Sequence, residues 1–91
     1  MNQQIAVLVK FHGATNSKGS RFSLTLPRWD NKRRFFSYDH SFNGTLDNAF
    51  AVLKQAGIPV AAVLDLGDHY AFAIEWANRP AVFTMMGLPE N

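Results

Sequence analysis

Thr45-Leu-Asp-Asn-Ala-Phe-Ala-Val-Leu-Lys-Gln-Ala-Gly57-Ile-Pro59 is the stretch on which the fold reading turns. Leu46, Ala49, Phe50, Leu53 and Ala56 recur at helical spacing and make one apolar stripe. Thr45 is a suitable N-cap, and Asp47 falls in the first turn, where the helix dipole favours negative charge. Gly57 ends the helix and Pro59 forbids its continuation. The result is a single helix of about three turns, in a chain whose other patterns alternate with period two.

Before the helix, Ser41–Gly44 is a loop and Lys32–Tyr38 reads as a strand. Asp30-Asn31 supplies a tight turn back to Arg21–Leu26. In that segment Phe22, Leu24 and Leu26 face inward, opposite Arg21, Ser23 and Thr25. Pro27 weakens its far end and suggests an edge or a bulge. His12–Ser20 is a loop rich in Gly, Asn, Ser and Thr. Ile5, Val7, Val9 and Phe11 alternate with Ala6, Leu8 and Lys10, and both sides are mostly apolar, which places this strand centrally. After the helix, Val60–Leu66 and Tyr70–Trp76 flank Gly67-Asp68-His69 as a hairpin. Tyr70, Phe72, Ile74 and Trp76 share one side; Ala71 and Ala73, on the other, leave room for something close, the helix being one candidate. Asn78–Pro80 is a turn, and Ala81–Met86 reads as a last strand before a tail beyond Gly87. These elements predict an α+β fold: one mostly antiparallel sheet of five or six strands, order β-β-β-α-β-β, with one helix on one face. The 91 residues form a single domain, ordered over about residues 4–86.

The hydrophobic fraction of 47% and twelve aromatics suffice for one packed core. There is no cysteine, which removes disulfides, thiolate metal sites and thiol nucleophiles and fits a reducing cytosol. No apolar run approaches the roughly 20 residues that cross a bilayer. Met1–Gln4 brings no basic segment before Ile5–Val9, which reads as a strand and not a signal peptide. The net charge of +2 is unevenly placed: residues 1–40 carry seven Lys/Arg against two Asp, and residues 41–91 two Lys/Arg against five Asp/Glu. One basic and one acidic face would steer association with a charged partner.

Most of that positive charge lies between Lys18 and Arg34. Lys18, Arg21, Arg28, Lys32, Arg33 and Arg34 are opposed there by Asp30 alone, and Trp29, Phe35, Phe36 and Tyr38 are interleaved with them or follow directly. Cations beside aromatic faces suit phosphate and stacked bases, or an acidic protein surface. Strand alternation puts Arg33, Phe35 and Ser37 on one side and Arg34, Phe36 and Tyr38 on the other. One of Phe35 and Phe36 belongs to the core, and the other is exposed or covered by a partner.

Other chemistries are poorly supported. Gly13–Ser20 is not a P-loop, because the order is Lys-Gly-Ser and a strand follows instead of a helix. Lys18-Gly19 followed by Phe22 echoes an RNA-recognition signature, but Ser20 and Arg21 and the element order depart from it. His12, His40 and His69 have no metal-ligand spacing, and no cofactor is implied. Ser37, His40 and Asp68 can be drawn as a hydrolytic group but lack a nucleophile elbow. Asp65, Asp68 and Glu75 read as solvated turn and strand positions.

Thr15-Asn16-Ser17-Lys18-Gly19-Ser20-Arg21, followed by Ser37-Tyr38-Asp39-His40, carries a resemblance. The chain resembles a group of short uncharacterised proteins of bacterial chromosomes, phages and other mobile elements, over about residues 7 to 56. Those carry a Thr-Asn-x-Arg/Lys-Gly-Ser-Arg segment, a strand ending near Tyr-Asp-His, then one helix. Many have Asn-His at the helix start, where this chain has Asn48-Ala49. The resemblance implies a small accessory protein that acts by binding. The expected function is therefore non-enzymatic binding of nucleic acid through a basic aromatic hairpin, with Lys18, Arg21, Arg28, Trp29, Lys32, Arg33 and Arg34 as contacts. The alternative is a protein-interaction module or inhibitor of a host nucleic-acid-handling or defence complex, as a monomer or a homodimer.

Overall fold

The computed structural model describes residues 3–14, 19–27 and 33–87. The expected tail beyond Gly87 lies outside them. Five strands form one antiparallel sheet: β1 (Gln4–His12), β2 (Arg21–Thr25), β3 (Arg33–Ser37), β4 (Ala62–Asp65) and β5 (Tyr70–Glu75). Their spatial order is β3-β2-β1-β5-β4, so β1 is central, as its two apolar sides require. Helix α1 (Thr45–Gln55) joins β3 to β4, and a short 3-10 turn, Trp76–Asn78, leads from β5 into helix α2 (Arg79–Met86).

Register sorts the side chains onto two faces. Val9 pairs with Leu24 and Tyr70, Phe22 pairs with Phe36, and Val7 with Phe72. These residues share the face covered by the helices. Ala49 and Leu53 of α1 and Val82, Phe83 and Met86 of α2 join Ile5, Val7, Val9, Phe22, Leu24, Phe72 and Ile74 in one core. Phe36 stacks on Phe22 (5.4 Å) and Phe50 on Phe72 (4.8 Å). The helix thus covers the bulky side of β5, and Ala71 and Ala73 lie on the uncovered face. The expectation that those alanines make room for the helix is corrected: the large side chains supply the buried area, so the helix packs on them.

The segment expected as a sixth strand is instead α2. Pro80 fits the first turn, where its missing N–H costs nothing. Val82, Phe83 and Met86 then fall on one helical side. Gly87 closes the helix in the left-handed conformation (φ 71°). Thr84 breaks neither pattern, because its hydroxyl bonds back to the Pro80 carbonyl (3.0 Å). A short apolar run such as Ala81–Met86 does not distinguish helix from strand by periodicity alone.

The ends of α1 also differ from expectation at one point. Gly44 is the N-cap, and Thr45 is already helical and makes no side-chain cap. Asn48 does related work one turn in. Its amide donates to the carbonyls of Gly44 (2.9 Å) and Asp39 (3.2 Å) and accepts from the Asp39 N–H (2.8 Å). At the other end Gly57 takes φ 76°, and its N–H and that of Ile58 return to the carbonyls of Lys54 and Leu53. That is a Schellman closure, with Ile58 buried against the core it caps.

Candidate nucleic-acid interface

The uncovered face of the sheet can be read row by row. Leu8 pairs with Thr25, which pairs with Arg33; Lys10 with Ser23, then Phe35; His12 with Arg21, then Ser37. Side chains on these nine positions point to the same side, away from the helices. Adjacent strands sit about 4.8 Å apart, so Lys10 and Phe35 are about 10 Å apart across the middle row.

Phe35 stands on the edge strand of this surface and is 46% exposed. The Arg21 guanidinium lies 4.4 Å over its ring, and the His12 ring meets it edge-on at 5.0 Å. His12 Nε2 and the buried Ser23 hydroxyl are hydrogen-bonded at 2.9 Å, which fixes the imidazole against the sheet. Burial, followed by the charges of Arg33, Arg21 and Lys10, holds the His12 pKa below its ordinary value. Among the described residues no carboxylate forms an ion pair with Lys10, Arg21 or Arg33. The surface sets an exposed aromatic ring beside Arg21 and Arg33, with Lys10 between them and Asp68, whose pKa the Lys10 charge helps to lower. A groove of about 760 Å³ runs beside it, lined on one side by Arg33 and Phe35 and on the other by Asp68 and His69.

The sequence expectation meets this surface only in part. Arg21 and Arg33 are on it, while Lys18, Arg28, Trp29 and Lys32 lie outside the described residues. Arg34 is on the opposite face, where its Nε donates to the Met86 carbonyl at the end of α2 (2.6 Å). Arg33 and Arg34 therefore do not act as contacts on one surface, because consecutive strand residues point to opposite faces. Phe35 is the exposed phenylalanine of the pair and Phe36 the packed one. Lys10 and His12 were missed. Parity shows them: even positions of β1 share a face with odd positions of β2 and β3 once the antiparallel register is set.

The histidines do not converge. His12 is on the open face, His40 is in the loop after β3 beside Tyr38 (5.0 Å), and His69 is in the β4–β5 turn, where its Nδ1 meets Asp68. Asp39 accepts from the Ser41 N–H and hydroxyl, and these bonds lower its pKa. Tyr38-Asp39-His40 is thus a local turn, tied to α1 by Asn48. Among the described residues no group of three or more His, Asp or Glu gathers for a metal.

A second surface is apolar. Phe42, Phe50, Ala51, Ile58 and Val60 line most of a groove of about 640 Å³ beside α1, with Asp47 and Lys54 at it as well. β4 is likewise exposed throughout, with Leu64 at 59%. No described helix is long and apolar enough to cross a membrane. No family model, curated protein or solved structure matches the chain.

Proposed function

We propose that this domain is a non-enzymatic nucleic-acid-binding module of mobile-element type whose binding surface is the open face of the sheet. The supporting observation is Phe35, half exposed with Arg21 stacked over it, beside Arg21 and Arg33, which pair with no carboxylate among the described residues. An exposed ring offers a base a stacking partner, worth about 1–3 kcal/mol per base. Lys10, Arg21 and Arg33 lie within reach of the phosphates on either side. The twisted sheet favours single strands, whose bases splay onto an aromatic platform. Three phosphate contacts to a single strand predict about a decade of lost affinity between 50 and 200 mM salt. Fluorescence-anisotropy titration with a labelled single-stranded oligonucleotide at both salt concentrations tests this. Affinity that ignores salt, or no binding at the lower concentration, contradicts it.

The second reading is a protein-interaction module, with a homodimer as one form. The apolar groove beside α1 and the exposed β4 edge favour it. A stable complex that survives nuclease treatment and is lost on Phe50→Asp would support this reading over the first.

A further inference from the structure

The groove on the open face is not a plain phosphate track, because one of its walls carries a carboxylate. Arg33 and Phe35 stand on the β3 side and Lys10 and Ser23 lie between, while Asp68 and His69 of the β4–β5 turn form the far wall. The turn is well held. Leu66 N–H donates to the His69 carbonyl (2.9 Å), Gly67 N–H to Asp65 Oδ1 (2.9 Å), and Gly67 takes φ 96°. His69 Nδ1 binds one oxygen of Asp68, and that bond is the first cause of its lowered pKa, so the carboxylate stays ionised. The carboxylate borders the groove, where the charge of Lys10 also lowers its pKa.

Resting on the nucleic-acid reading above, we infer that this groove is a base-selective subsite that prefers bases bearing an exocyclic amine over thymine and uracil. An ionised carboxylate repels a phosphate, so the backbone keeps to the Arg33 and Lys10 side. What can meet Asp68 is a base edge, and a carboxylate only accepts hydrogen bonds. Cytosine N4, adenine N6 and guanine N1 and N2 can donate to it. Thymine and uracil offer a single imide N–H between two carbonyl oxygens, which the carboxylate repels. Stacking on Phe35 favours purines for its own reasons, so the informative pair is cytosine against thymine, two pyrimidines of similar stacking area. The ligand is therefore a single strand rich in cytosine or purine, of DNA or RNA.

The test is anisotropy titration of labelled oligo(dC) and oligo(dT) of equal length, repeated with oligo(rC) and oligo(rU), using the wild-type chain and Asp68→Asn. The side chain is 73% exposed, so the substitution leaves the fold intact. Wild type should bind the cytosine strand about fivefold tighter or more, as one base-edge hydrogen bond to a charged group allows. Asp68→Asn, whose neutral amide both donates and accepts, should bring the two strands within about twofold. Preference in the DNA pair only, or in the RNA pair only, supports the subsite and names its source. Equal, salt-dependent binding of both strands by wild type overturns the subsite and leaves the nucleic-acid reading standing. A preference that survives Asp68→Asn also overturns it. Failure to bind any strand removes both.

Discussion

β3 and β4 are the two edges of the same sheet, and they solve the edge problem differently. β3 carries Arg33 and Arg34 at its start and uses both faces: Phe36 packs on Phe22 toward the helices, and Phe35 stands out with Arg21 over it. β4 is exposed along its whole length and mostly apolar, with one charge, Asp65, at its end. Charged edges resist pairing with other strands, and apolar ones invite it. The difference locates two capacities: an electropositive, aromatic face next to β3, and a bare, mostly apolar edge at β4. It also says which edge the fold depends on.

Unequal dependence is the easiest part to break. Phe36→Ala removes a packed ring and should lower stability by about 2–3 kcal/mol, whereas Leu64→Ala on β4 should stay within about 0.5 kcal/mol. Urea unfolding of the two variants checks this, and equal losses would show that β4 is better buried than its exposure says. Arg21→Glu with Arg33→Glu should weaken oligonucleotide binding about 100-fold at low salt, since two cations become two anions. Leu64→Glu at the other edge should leave that affinity unchanged.

Asn48→Ala tests what positions the β3 end of the face. Its side chain is buried and serves two carbonyls and one N–H. Leaving these unsatisfied should cost about 2 kcal/mol, read as a fall in thermal midpoint, with the loop before α1 exchanging its amide hydrogens faster.

Much of the architecture was legible in the sequence, and the physical reasons are specific. Two apolar sides put β1 in the centre, and alternation separated Phe35 from Phe36. The glycine at position 57 fixed the end of α1. Gly67 and its neighbours marked the β4–β5 hairpin. α2 was not legible because Ala81–Met86 is a short, mostly apolar run, which helix and strand spacing both fit. The site was half legible. A run of basic residues in sequence reads as one patch, but a strand deals alternate residues to opposite faces. Arg34 went to the helices by that rule, Lys10 entered from a strand that read as mostly apolar on both sides, and His12 from a position read as loop that β1 in fact includes. Their membership depends on the pairing register, which no single segment displays.

The smallest expected effect is that of pH. Burial and the neighbouring cations keep His12 neutral below its ordinary pKa of 6.5. The unfolded chain takes up that proton first, so stability should be full above about pH 6.5 and decline as pH falls toward the folded pKa. A bound phosphate favours the imidazolium, so oligonucleotide affinity should instead rise on acidification. His12→Gln should flatten both trends, in thermal midpoint and in titration from pH 7.5 to 5.5. Parallel trends in the variant would place the titrating group elsewhere.

Amide chemical-shift mapping with a single-stranded oligonucleotide at low salt tests the open face most directly. The account predicts perturbations centred on Lys10, His12, Arg21, Arg33 and Phe35, with Phe50, Val63 and Leu64 unmoved. Perturbations confined to α1 and β4, or none at saturating oligonucleotide, would contradict it.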